Sequence, residues 1–85
     1  MTAGGLAAKY IEKTERALRE LEITQKPVCL DPMRMDEVVD EAKRYLDDAK
    51  YYLGKGEDET SLASVAYSEG LLDALRMLGL ARFEW

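Results

Sequence analysis

MDEVVDEAKRYLDDAKYYLGKG, residues 35–56, decides the fold. Met35, Val38, Ala42, Tyr45, Ala49 and Tyr52 recur at alternating spacings of three and four, with Val39, Leu46 and Leu53 beside them. At about 100° per residue these positions fill one arc of a helix. Asp36, Glu37, Asp40 and Glu41 occupy the early turns, where negative charge suits the helix dipole. Gly54 and Gly56 close the element with the left-handed conformation that a C-cap wants. Asp31 before Pro32 reads as an N-cap with proline at the first helical position, a start near Met35–Asp36 being the alternative. A helix is therefore expected over about 34–53, with Tyr51 off the apolar arc and partly exposed.

Downstream, a further helix is expected over about 59–78, capped from Asp58–Thr60 and stopped by Gly79. Its wheel differs. Ala63, Ala66, Tyr67, Gly70, Leu71, Ala74, Met77 and Leu78 form a broad apolar arc, and Val65, Leu72 and Leu75 form a second group on the far side. Between them runs a charged stripe of Glu69, Asp73 and Arg76, with Ser64 and Ser68 in the other gap. A helix apolar on two sides is expected to be buried on two sides.

Upstream, Ala7, Tyr10, Thr14, Ala17 and Leu21, flanked by Ile11 and Leu18, predict a one-sided helix over about 6–22. Glu12 with Arg16 and Glu15 with Arg19 are favourable i,i+4 pairs on its polar side. Pro27 and Pro32 break the segment between the first two helices, where Val28, Cys29 and Leu30 are expected to plug one end of the bundle. No segment alternates with strand period. The expected fold is an all-α antiparallel three-helix bundle, up-down-up, forming a single domain over 1–85 with a short tail at 80–85.

Composition narrows the function classes. A chain of 85 residues has little core, and such domains gain stability from disulfides, metals, self-association or very regular packing. Cys29 is the single cysteine and there is no histidine, so an intramolecular disulfide is excluded and no metal is expected. The formal charge of −5 is local: residues 31–59 carry ten acids against five bases. An acidic middle argues against nucleic-acid binding, which needs clustered Lys and Arg. The apolar runs are too short for a membrane span, the N-terminus lacks signal-peptide features, and a reducing cytoplasm is the expected setting.

No catalytic constellation or cofactor loop is legible. Glu69 and Asp73 lie one turn apart with Arg76 beyond, which reads as a self-neutralised stripe and a candidate partner or ligand contact rather than acid–base machinery. Ala66, Gly70 and Ala74 form a small-residue ladder, expected to pack closely against another helix because glycine costs about 1 kcal/mol of helix propensity relative to alanine. Gly54–Asp58 lacks both the phosphate-loop and the calcium-loop pattern. Val65, Leu72 and Leu75, with Phe83 and Trp85 from the tail, are left over for a patch that either the tail or a second chain must cover. A homodimer through this patch is the expectation.

Residues 45–80 hold the tyrosine-rich Asp48-Ala49-Lys50-Tyr51 segment, the Lys55-Gly56 turn, and a helix carrying Ala63, Tyr67, Gly70-Leu71-Leu72-Asp73-Ala74 and Leu78-Gly79. In these motifs and their order the sequence resembles the archaeal domain-of-unknown-function family 357. The resemblance implies a three-helical bundle in an archaeal cytoplasm and implies no reaction. It marks Tyr67, Gly70, Asp73 and Gly79 as structural or contact residues. Some members resemble a module joined to a nucleotidyltransferase-like domain. The functional expectation is a small helical interaction module that self-associates or docks on a protein. The alternative is an accessory nucleotide- or small-ligand-binding module beside a nucleotidyltransferase-like partner, and a carboxylate-based metal hydrolase ranks last.

Overall fold

A computed structural model describes residues 2–23 and 30–85. The chain is all-α, with three helices consistent with the bundle expected: α1 (Ala3–Glu20), α2 (Pro32–Gly54) and α3 (Asp58–Met77). Each boundary has a local cause. Thr2 caps α1 by accepting a hydrogen bond from the Gly5 N–H at 3.0 Å, so the helix begins before the expected Leu6 despite Gly4 and Gly5. Asp31 caps α2, its side chain accepting from the Met33 N–H at 2.9 Å with proline at the start of the helix. That selects the earlier of the two starts read from sequence.

The C-termini of α2 and α3 end in the same motif. Gly56 (φ 76°) follows α2 and Gly79 (φ 75°) follows α3, both in the left-handed region. The Glu57 N–H reaches back to the Tyr52 carbonyl and the Gly56 N–H to that of Leu53. At the end of α3 the Leu80 and Gly79 N–H groups bond to the carbonyls of Leu75 and Arg76. These paired bonds satisfy carbonyls that a helix terminus otherwise leaves open.

α2 and α3 pack closely and antiparallel. The Ser61 hydroxyl donates to the Ala49 carbonyl and the Ser68 hydroxyl to the Ala42 carbonyl, each at 2.7 Å and each buried. Both steps are seven residues, forward in α3 and backward in α2, the repeat that keeps a seam facing its partner along two helices. The buried residues are Ala42 and Ala49 from α2 and Ser61, Ser68 and Leu75 from α3. On α2 the half-buried positions Met35, Val38, Tyr45 and Tyr52 complete the arc read from sequence.

α3 turns a different face to α2 from the one expected. Val65 and Leu72 are half-buried and Leu75 is buried, alternating with Ser61 and Ser68 at spacings of four and three. Val65, Leu72 and Leu75, reserved for self-association together with Phe83 and Trp85, thus form the side that meets α2, while Phe83 and Trp85 belong to the tail. Ala66, Gly70 and Ala74 are exposed, and a Cβ added at Gly70 would meet nothing within 4 Å. The small-residue ladder therefore packs against no helix of its own chain. The reason is chemical: two serines in the seam lower its apparent hydrophobicity, yet each hydroxyl is neutralised by a carbonyl across the interface.

α1 stands apart from this pair. No Cα of α1 lies within 8 Å of a Cα in α2 or α3, and none of its residues is buried. Its expected i,i+4 pair Glu12–Arg16 forms at 3.6 Å. Of the expected end plug, Leu30 is exposed, and Val28 and Cys29 lie outside the described residues.

Candidate functional site

Two kinds of surface remain after the seam is accounted for: a polar cleft under the tail, and uncovered apolar faces. The cleft arises because the turn at Gly79 sends the tail back along the outer face of α3. Trp85 arrives beside Ala66, Glu69, Gly70 and Asp73, and the five line an open hollow of about 260 Å³, with Trp85 itself 68% exposed. Phe83 braces Trp85 edge to face, with ring centroids 5.0 Å apart. The open space above Gly70 is part of this cleft.

Within the polar stripe, Arg76 donates to one oxygen of Asp73 through Nε at 3.0 Å and through an Nη at 2.6 Å. These bonds hold the Asp73 carboxyl below its ordinary value of 3.8; burial acts in the opposite direction, and the nearby Trp85 indole N–H adds to the lowering. Asp73 and Arg76 thus come together as the sequence suggested, while Glu69 lines the cleft outside that pair. The cleft offers two carboxylates and an indole, and the Arg76 guanidinium is engaged by Asp73. No group of three or more His, Cys, Asp or Glu side chains among the described residues could hold a metal ion.

The apolar surfaces are more extensive. On α1, Tyr10, Ile11, Thr14 and Leu18 line a shallow hollow of about 310 Å³, with Ile11 58% and Leu18 66% exposed. On one flank of the α2–α3 pair, Val39, Lys43, Leu46 and Leu72 border a groove of about 180 Å³ floored by Ala42 and Ser68. Leu53 continues the Val39–Leu46 edge at the same seven-residue step and is exposed. The first helix approaches α3 elsewhere: Ala3, Leu6 and Tyr10 share a hollow with Glu59, Thr60 and Ala63.

The opposite flank is aromatic. Tyr45 of α2 and Tyr67 of α3 pair with ring centroids 4.3 Å apart, and the Arg44 guanidinium lies 4.9 Å from the Tyr45 ring centre. Tyr67, one of the positions that the resemblance marks, therefore has a structural partner. Tyr51 is exposed, as expected.

A family model described as protein of unknown function (DUF357) matches residues 9–81. The chain belongs to this family. The match runs from within α1 to the residues just past α3, so it takes in the first helix as well as the segment quoted from sequence. Neither a curated protein nor a solved structure matches the chain significantly. No helix of this DUF357 chain among the described residues is long and apolar enough to cross a membrane.

Proposed function

We propose that this chain is a helical interaction module that works by burying its uncovered apolar faces against another polypeptide, a homodimer being the simplest assembly. The observation that carries the reading is the first helix. It has a continuous apolar stripe, a family match over most of its length, and no buried residue. An isolated helix of this length is marginal in water, so such a stripe is stable only against a partner surface. The archaeal and cytoplasmic setting belongs to the same reading and rests on the sequence resemblance and the lone cysteine.

The alternative, a nucleotide-binding accessory, would use the cleft at Glu69, Gly70, Asp73 and Trp85. Its chemistry argues the other way, because a phosphate would meet carboxylates there and the Arg76 guanidinium is engaged by Asp73.

Amide hydrogen exchange across a dilution series tests the module reading. Amides of α1 should exchange rapidly in the dilute monomer and become protected on association. Equal protection of α1 in a strict monomer would mean that the helix closes on its own chain, and the reading would fail.

A further inference from the structure

We infer that the hollow beside Trp85 receives the guanidinium of an arginine side chain on a partner polypeptide, stacked on the indole and paired with the Glu69 carboxylate. Every wall of the hollow comes from α3 and the tail, so the site lies apart from the uncovered apolar faces and does not involve α1.

Three observations lead there. First, the aromatic wall is presented rather than buried. Trp85 is the only tryptophan, and it stays mostly exposed although the tail has brought it back onto α3. Its contact with Phe83 is edge to face, at an interplanar angle of 87°, so Phe83 covers at most one face of the indole. A guanidinium laid on a free face gains a stacked cation–π contact, which a compact and strongly hydrated ammonium makes less well.

Second, the charge selects a cation. Glu69 and Asp73 both line the hollow. Asp73 accepts both bonds from Arg76 on one oxygen, Oδ1, and that pair is neutral overall. Glu69 is in no ion pair among the described residues, which leaves its charge for a ligand. α3 as a whole carries Asp58, Glu59, Glu69 and Asp73 against Arg76 alone. An apolar side chain inserted here would desolvate carboxylates without replacing their hydrogen bonds, and an anion would be repelled. A guanidinium turns its planar fork of donors to Glu69 while its plane rests on the ring.

Third, the shape sets the size. Gly70 floors the hollow where an added Cβ would meet nothing within 4 Å, and Ala66 lies one turn before it. The space of about 260 Å³ lies below the roughly 300–1,000 Å³ of sites that enclose a free small molecule. One side chain fits, with the backbone that bears it outside.

Titration of the Trp85 indole tests this site. A single tryptophan gives a single indole N–H resonance in a proton–nitrogen correlation spectrum. N-acetyl-arginine amide at millimolar concentration should move it saturably, and the uncharged isostere N-acetyl-citrulline amide should leave it in place. Glu69→Gln should weaken the apparent Kd about tenfold through loss of a charge-assisted hydrogen bond. Gly70→Leu, whose added side chain meets open space, should fill the hollow and abolish the response, with helical circular dichroism showing that the chain is folded. Glu69→Gln, an exposed isosteric change, carries the test alone if Gly70→Leu unfolds.

Four results would overturn the site. An indole resonance unmoved by the arginine amide would remove it outright. An undiminished response in folded Glu69→Gln would place the cation elsewhere. Equal binding of the citrulline or lysine amide would mean that no guanidinium is selected. Guanidinium chloride matching the arginine amide at equal concentration would make the ligand a free ion rather than a side chain. The exchange of α1 amides is a separate readout, so a silent indole leaves the module reading untouched.

Discussion

The α2–α3 pair and α1 are built on similar sequence logic and meet different fates. Both have apolar positions at three-four spacing, and α3 is the least amphipathic of the three helices. Yet α3 is held along its length, and α1 has no buried residue. The difference lies in the kind of residue on the contact line. Ala42 and Ala49 let the backbone of α3 approach, and Ser61 and Ser68 convert that approach into hydrogen bonds to α2 carbonyls. α1 presents Tyr10, Ile11 and Leu18, large side chains left 55%, 58% and 66% exposed. Amphipathicity marks a face for burial; small residues at heptad spacing select its partner.

Overpacking the seam should break this contrast most severely. Ala42 is 2% exposed, so Ala42→Leu should destabilise the pair by about 1–3 kcal/mol in urea unfolding, while an equivalent enlargement at exposed Ala8, off the apolar stripe of α1, should change little. An unchanged midpoint for Ala42→Leu would refute the close seam. Gly79→Ala should cost about 1–2 kcal/mol, since alanine must then adopt a φ of 75°. A smaller loss, about 0.5–1.5 kcal/mol, is expected for Ser68→Ala, because the Ala42 carbonyl keeps its place within α2 and only the interhelical bond disappears. If Ser68→Ala is neutral and Ala42→Leu is not, shape alone holds the pair.

Gly70 sharpens the comparison with an effect of opposite sign. Nothing stands within 4 Å of an added Cβ, so Gly70→Ala should raise stability by about 0.5–1 kcal/mol through helix propensity. A destabilised variant would restore the idea that the ladder is a packing face. The gentlest probe is acid. The Asp73 carboxyl is held below 3.8 by Arg76, with Trp85 contributing, so its share of tail docking is fully present above 3.8 and disappears as the pH falls through the lowered value. The emission intensity of Trp85, the only tryptophan, should change in that acid range as the Asp73 carboxylate beside its indole is neutralised, and Asp73→Asn should show the changed emission already at neutral pH. A spectrum indifferent to both would separate the tail from Asp73.

Legibility in the sequence followed the size of the side chains. The α2 arc was readable residue by residue because Met35, Val38, Tyr45 and Tyr52 announce it around Ala42 and Ala49. The α3 seam was misread because its decisive members are serines, whose burial depends on carbonyls of another helix that no local pattern displays. The opposite arc looked like core because alanine and glycine score as apolar, though they lose little when exposed. The Asp73–Arg76 pair was visible at its spacing of three, and the cleft above it was not, since Trp85 reaches it only after the turn at Gly79.

Sequence by itself determined the elements: three helices, the Asp31 cap with Pro32, and the left-handed stops at Gly56 and Gly79, all fixed by interactions within a few residues. It also determined membership of the DUF357 family and an acidic middle. Tertiary structure decided which face of α3 meets α2 and that Gly70 opens into a cleft. Those outcomes depend on how well two distant surfaces fit and satisfy each other's polar groups, and that property belongs to the pair rather than to either helix alone.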